Sequence, residues 1–114
     1  MFCCDPQARE AEGEPVVRKR TFDPFADPGA APALLDALGP ARAVLVCGLV
    51  TSICVNLTAA GFYQRGYATS VVREASADAA PRHVQTLDGY DNLMYRVVGV
   101  DDVAAGEPGP PPFV

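Results

Sequence analysis

Residues 43–54 read A-V-L-V-C-G-L-V-T-S-I-C, and this stretch decides the fold class. Its first part, 43–47, is continuously apolar, which is typical of a strand buried on both faces of a parallel sheet. The following residues lead into a helix predicted over 52–65, because apolar residues recur there at helical spacing and Gly66 stands where helices commonly end. A strand followed at once by a helix indicates a βαβ unit.

The rest of the sequence repeats this alternation of strand and helix patterns. The other predicted elements are a strand at Val16–Val17, a helix at 33–38, a strand at 68–72, a helix at 81–95 and a strand at 97–100. We therefore predict an α/β fold, a parallel sheet with helices on both faces in a Rossmann-like three-layer α/β/α arrangement. The predicted domain spans 16–103, between an irregular segment at 1–15 and a Pro/Gly-rich tail at 104–114.

Composition and charge exclude several classes of function. The chain has 114 residues, 49% of them hydrophobic, which fits one globular domain. Nine basic and fourteen acidic residues give a net charge of −5 without a basic cluster, so we expect no nucleic-acid partner. No apolar run approaches the roughly 20 residues that cross a bilayer, and residues 1–5 do not resemble a signal peptide. We expect a cytoplasmic protein with no membrane partner.

The four cysteines do not form a metal-binding or disulfide pattern. Cys3 and Cys4 are adjacent, no C-x-x-C pair occurs and His83 is the single histidine, so we predict no metal and no other cofactor. Cys54 differs from the others because its thiol lies at the predicted start of a helix. Unpaired backbone N–H groups and the helix dipole stabilise a thiolate there. The alternative is that Cys54 packs as a small apolar side chain.

The segment G-L-V-T-S-I-C-V-N-L-T-A at 48–59, with Arg65-Gly66-Tyr67 after it, closely resembles the nucleophile segment of the isochorismatase-like cysteine hydrolases. That family includes nicotinamidases and N-carbamoylsarcosine amidases. V-V-R-K-R-T-F-D-P-F at 16–25 resembles the lysine segment of the same family, and E-A-S-A-D at 74–78 followed by His83 extends the match. The resemblance covers about residues 15–101.

This resemblance implies a catalytic site built on Cys54 and Lys19. Cys54 is the implied nucleophile, which attacks an amide carbonyl and forms a thioester. Lys19, the only lysine in the chain, is the implied catalytic lysine that supports the thiolate. The backbone N–H groups of Val50 and Cys54 are the implied oxyanion hole, and the peptide bond between Leu49 and Val50 is implied to be cis.

The third member of the family's site, a general-base carboxylate, has no clear counterpart. The resemblance implies this carboxylate at the end of a first strand, in an apolar run ending D-x-Q. Asp5-Pro6-Gln7 has these letters, but only four residues precede it, so we interpret the match as coincidental. We therefore expect the C-terminal part of a domain whose first two strands are missing. The strand at Val44–Val46 would then form an open edge that a second copy, another chain or the N-terminal segment must cover.

Two main hypotheses of function follow. The first is a cysteine hydrolase that cleaves a small amide, imide or carbamoyl compound through a Cys54 thioester. The second is a truncated, non-catalytic relative that lacks the general-base Asp and keeps only interaction surfaces. A third hypothesis is an unrelated small binding module in which Cys54 is structural.

The other polar or unusual residues are interpreted as structural. We predict that His83 lies on a helix surface, that Asp78 and the later acidic residues form a solvated surface, and that Gly61 packs closely against the sheet. Phe22 and Phe25 fit either a substrate pocket or the core.

Overall fold

The computed structural model of the protein describes residues 9–106. Within this range the elements are, in chain order, a 3-10 helix (Pro24–Ala26), α1 (Ala30–Leu38), β1 (Ala43–Leu49), a π-helical turn (Thr51–Val55), α2 (Asn56–Gln64), β2 (Ala68–Ala77), α3 (Arg82–Tyr90), β3 (Arg96–Val98) and α4 (Val100–Ala104). None of these helices is long and apolar enough to cross a membrane.

The three strands form one parallel sheet in the order β1-β2-β3. Ala43 pairs with Ala68 at the start of β1, and Val71 of β2 pairs with Val97 of β3. Each strand is joined to the next by a helix, which is the connection that parallel strands require. The predicted α/β fold is therefore confirmed, with helices packed around an open sheet.

The hydrophobic core lies between the sheet and the helices that connect its strands. Val71 of β2 and Leu87 of α3 are fully buried, and Phe62 of α2 is nearly so. Tyr95, just before β3, is also fully buried, and its O–H donates to Oδ1 of Asn56 at 2.8 Å. Burial raises the pKa of Tyr95 well above its ordinary value, so this phenol stays neutral and remains a hydrogen-bond donor to the Asn56 amide oxygen.

Strand β1 forms one edge of this sheet and is buried on one face only. Val44 and Val46 are buried, whereas Leu45 is 47% exposed and Leu49 is 70% exposed. The prediction that β1 is buried on both faces is therefore wrong. Alternate side chains of a strand point to opposite faces of the sheet, so the exposure of Leu45 and Leu49 shows that the helices of the described chain leave the second face of β1 uncovered. Within the described residues β1 also has a neighbouring strand on one side only.

An open apolar groove runs beside β1 and has a volume of about 420 Å³. Leu34 and Leu38 of α1 line one part of it, and Phe62 of α2 lines another. Leu45 and Cys47 of β1 also contribute to the lining. The exposed β1 side chains and the groove are adjacent, because Leu45 belongs to both.

The segment before α1 does not contain the predicted strand. Val16 and Val17 lie outside any strand, and Val16 is 57% exposed, so the prediction of a strand there is wrong. The segment is held by the buried carboxylate of Asp27, which accepts hydrogen bonds from the backbone N–H groups of Arg20, Gly29 and Ala30 at 2.8, 2.8 and 3.2 Å. These bonds, that of Arg20 first, hold the pKa of Asp27 below its usual value. They also join the lysine segment to the start of α1.

Phe25 docks the same segment onto α2. Its ring meets that of Phe62 edge to face at 5.0 Å, and the Arg65 guanidinium lies 3.9 Å above it. A Cβ on Gly61 would lie only 2.4 Å from Phe25 Cδ2. Gly61 therefore permits close packing against Phe25, and the prediction that it packs against the sheet is wrong. Phe25 thus belongs to the core, while Phe22 is exposed.

Helix α3 and strand β3 are shorter than predicted. Helix α3 ends at Tyr90, because Asn92 adopts a left-handed conformation with φ 62° and its N–H donates to the Tyr95 carbonyl. The prediction of a helix to residue 95 is therefore wrong, and Val84 and Leu93 are exposed. Strand β3 ends at Val98, because Val100 begins α4 and its N–H donates to Glu74.

Candidate active site

Cys54 lies at the junction between β1 and α2. The chain leaves β1 through Gly48, whose φ of 125° favours glycine, and the peptide bond between Leu49 and Val50 is cis. Residues Thr51–Val55 then form a π-helical turn that continues directly into α2. Cys54 is half-buried and is a free thiol in the first turn of this continuous helical segment. Wide turns of this kind occur frequently at functional sites.

A hydrogen bond from α3 anchors the first residue of the π-helical turn. Thr51 is fully buried, and its Oγ1 is joined to Nδ1 of His83 at 2.7 Å. The two residues are 32 positions apart in sequence, so only the fold brings them together. The prediction that His83 is a helix-surface residue is therefore wrong, since its ring is half-buried against the segment that carries Cys54.

A carboxylate anchors the second residue of the turn. Oδ2 of Asp78 accepts a hydrogen bond from the backbone N–H of Ser52 at 2.9 Å and another from the Ser52 hydroxyl. The hydroxyl bond is the largest cause, and the backbone bond the next, of a pKa for Asp78 below its ordinary value of 3.8. The prediction that Asp78 belongs to a solvated surface is wrong, because its carboxylate is half-buried and bonds to Ser52 in the π-helical turn.

The pairing of β1 with β2 explains why Asp78 meets Ser52. The first part of β1 pairs in register up to Val46 with Val71, but Gly48 then pairs with Ser76 and Leu49 with Ala77. Several residues of β2 therefore bulge out between the two parts of the ladder. This shift brings Ala77 beside the last residue of β1, so that the next residue, Asp78, reaches the turn that follows β1.

Lys19 lies in the irregular segment before the 3-10 helix. Its side chain is exposed, and its ammonium donates to the carbonyl oxygen of Thr21 at 2.9 Å. The hydrogen bonds and ion pairs found among the described residues do not join Lys19 to Cys54. The fold thus assembles Cys54 with Asp78 and His83 through the turn, while the amine of Lys19 is engaged locally. Asp5 lies outside the described residues.

No cluster of metal-ligating side chains occurs in residues 9–106: His, Cys, Asp and Glu form no group of three or more that could hold an ion.

A comparison of the sequence with models of protein families decides the family. The model of the isochorismatase domain matches residues 4–102, most of the chain. The chain belongs to the isochorismatase domain family. No curated protein matches its sequence.

The fold of this chain is similar to solved structures of isochorismatase-like hydrolases and of nicotinamidases. An isochorismatase-like hydrolase from Alkaliphilus metalliredigens has a TM-score of 0.77 at 22% identity, covering 90% of this chain and 55% of that one. A nicotinamidase from Staphylococcus aureus has a TM-score of 0.61 at 28% identity, with coverage of 72% and 53%. A pyrazinamidase/nicotinamidase from Streptococcus mutans has a TM-score of 0.60 at 27% identity, with coverage of 70% and 44%. The chain spans about half the length of these relatives.

Proposed function

We propose that this isochorismatase-family chain supplies the nucleophile of a hydrolase that cleaves the C–N bond of a small amide, imide or carbamoyl compound. The observation that carries the proposal is the position of Cys54, a free and half-buried thiol in the first turn of the helical segment after β1. Backbone N–H groups at such a helix start favour negative charge, which both the thiolate and an oxyanion carry. The nicotinamidases among its structural relatives support an amide as the substrate class.

The reaction that we propose has two steps. Cys54 Sγ attacks the carbonyl carbon, the N–H groups of Val50 and Cys54 stabilise the oxyanion, and the C–N bond breaks as the nitrogen leaves with the proton that the thiol has lost. Water then attacks the thioester, the S–C bond breaks and the carboxylic acid departs, which restores the thiol. Lys19 is proposed to support the anionic species once its ammonium leaves the Thr21 carbonyl, to which it donates in this structure.

Selective alkylation tests the proposal, with Cys47 as a reference inside the same molecule. The protein is labelled at a dilution where it is monomeric, because Cys47 lies on the β1 edge that a second copy would cover. Cys47 is exposed on β1, whereas Cys54 is half-buried, so accessibility alone favours Cys47. We expect limiting iodoacetamide near pH 7 to label Cys54 before Cys47, as measured by peptide mass spectrometry, because a stabilised thiolate reacts faster. Labelling of Cys54 that is no faster than that of Cys47 would contradict the proposal.

Substrate turnover gives the second test. Ammonia release from a panel of small amides, nicotinamide among them, should be detectable with the native chain and lost in Cys54→Ala. Lys19→Ala should reduce the rate more than Arg18→Ala, a matched change at the adjacent exposed cation.

A second candidate function is a non-catalytic member of the family that retains interaction surfaces. The observation that favours it is the local engagement of Lys19 with Thr21, in a chain that spans about half the length of its solved relatives. Under this alternative Cys54 reacts no faster than the more exposed Cys47, and no amide is hydrolysed. The labelling experiment therefore separates the two candidates.

We also propose that the open edge of β1 associates with a second copy of the chain. Leu45 and Leu49 are exposed on this uncharged strand, and the apolar groove lies beside it. An unprotected edge presents unpaired N–H and C=O groups that another strand can satisfy.

A further inference from the structure

We propose that Asp78 and His83 are positioning residues that hold the π-helical turn at Thr51–Val55, here called the Cys54 loop, in its reactive conformation. The inference rests on the proposed function, because it concerns the reactivity of the Cys54 thiol. Asp78 acts through Ser52, two residues before the nucleophile, and His83 acts through Thr51, three residues before it.

The two anchors reach the turn from different directions. Asp78 follows the end of β2 and accepts from both the N–H and the O–H of Ser52. His83 lies in the first turn of α3 and bonds to the fully buried Thr51. The two anchors come from different elements, so together they fix the position of the turn relative to both the sheet and α3.

Without these two hydrogen-bonded anchors, the π-helical turn would be free to rearrange. A π-helical turn is a less regular form of helix, and a neighbouring α-helical arrangement of the same residues would move the thiol and the N–H groups relative to each other. Ser52 and Thr51 carry the only side chains of the turn that bond to another element in the described structure. Since a nucleophile misplaced by about 1 Å can lose about 100-fold in rate, modest freedom of this turn would be visible in reactivity.

The two anchors meet different kinds of groups. Arg82, at the start of α3, contributes an attractive charge to Asp78. The imidazole of His83 meets the neutral hydroxyl of Thr51. Both anchors therefore act on the turn through hydrogen bonds, and those to Asp78 have a charged acceptor.

The experiment measures the ratio of the alkylation rates of Cys54 and Cys47 from pH 5 to pH 9 in folded protein. Asp78→Ala and His83→Leu should lower this ratio by about tenfold or more and move the midpoint of Cys54 labelling to higher pH, with Cys47 unchanged. Asp78→Asn and His83→Asn keep a polar atom near the original position and should recover part of the ratio. Asp88→Asn is the control, because Asp88 is an exposed α3 carboxylate whose partner is Arg73 at 3.6 Å.

Partner-side variants make the test specific to the two contacts. Ser52→Ala should lower the ratio by itself, and adding Asp78→Ala to it should cause a smaller further loss than Asp78→Ala causes alone, because the hydroxyl bond is already gone and only the bond from the Ser52 backbone N–H remains to be removed. If Asp78→Ala does not fold, Asp78→Asn with Ser52→Ala carries the same cycle.

The outcomes distinguish this inference from the proposed function. A native chain in which Cys54 reacts faster than Cys47, with ratios unchanged in all anchor variants, overturns the inference and leaves the proposed function standing. A native chain in which Cys54 is not the faster cysteine overturns the proposed function and the inference with it. A lowered thermal midpoint with an unchanged ratio and pH profile assigns Asp78 and His83 to stability alone, which also overturns the inference.

Discussion

Asp78 is the residue that most changes the interpretation of this sequence. By itself it is one acidic residue among several near the end of the chain, but in the fold its carboxylate accepts two hydrogen bonds from Ser52. Those bonds hold the pKa of Asp78 below its ordinary value. The charged form is therefore favoured in the folded state, which makes the contribution of Asp78 to stability dependent on pH.

Replacing Asp78 with Asn should lower the thermal midpoint at neutral pH. A carboxyl group whose folded pKa is lowered stabilises the fold above its unfolded pKa, and this stabilisation is lost as the pH falls through the folded pKa. The difference in Tm between native protein and Asp78→Asn should therefore be constant above about pH 5 and shrink below the ordinary value of 3.8. Thermal unfolding followed by circular dichroism measures it. A difference that grows on acidification would contradict the assignment.

Tyr95 offers a second prediction for a single residue. Tyr95→Phe removes the hydrogen bond to Asn56 in the core and leaves a half-buried amide oxygen without its donor, so we expect a loss of about 1 kcal/mol. Tyr90→Phe changes the same atom on a more exposed ring and should cost less than about 0.5 kcal/mol. Urea unfolding of both variants gives the comparison, and equal losses would argue against a role for the Tyr95 hydroxyl.

At the scale of elements, Phe25 packs the lysine segment against α2. Gly61 permits this contact, because a Cβ at that position would overlap the Phe25 ring. The ring also contacts Phe62 and the Arg65 guanidinium. The segment contains no helix or strand before Pro24, so its position relies on these contacts and on Asp27. An added methyl group at position 61 therefore tests how the segment is held.

Gly61→Ala should destabilise the protein by about 1–3 kcal/mol, because the new methyl group must displace Phe25. The matched control is Gly89→Ala in α3, where a Cβ meets no atom within 4 Å. Alanine has the higher helix propensity, so that change should stabilise by up to about 1 kcal/mol. Chemical unfolding measures both values. A stabilising effect at both positions would show that Phe25 moves aside without cost.

At the scale of the whole molecule, the β1 edge of the sheet is open among the residues that the structure describes. Strand β1 has a neighbour on one side only in the described chain, and its seven residues carry no charge. Natural edge strands commonly carry charges or bulges that prevent association. The chain also spans about half the length of its solved relatives.

We expect the chain to self-associate in a concentration-dependent manner through this edge. Leu45→Lys places a charge on the exposed face of β1 and should shift the population toward monomer. Leu93→Lys introduces the same charge at another exposed leucine, in the turn between α3 and β3, and should have little effect. Size-exclusion chromatography with light scattering measures the mass of each. A native chain that stays monomeric at high concentration would contradict the proposal.

Much of the fold followed from the sequence because the apolar periodicity is local. The run at 43–47, the helical spacing after Cys54 and the apolar run at 68–72 correspond to β1, α2 and β2, and the G-L-V-T-S-I-C segment identified the family that the comparison with family models confirms. The errors occurred where structure depends on partners. Within residues 9–106, Val16–Val17 has no strand to pair with, and the second face of β1 is exposed because no helix covers it there.

The sequence by itself determined the fold class, the family and the location of Cys54 at a strand–helix junction, since each depends on residues close together in the chain. Only the tertiary structure revealed that Asp78 and His83 anchor the Cys54 loop, because Ser52 and Thr51 lie 26 and 32 positions away from them. The register shift between β1 and β2 creates the first of these contacts, and the packing of α3 against the turn creates the second. Neither depends on a local pattern, so neither could be predicted from the order of the residues.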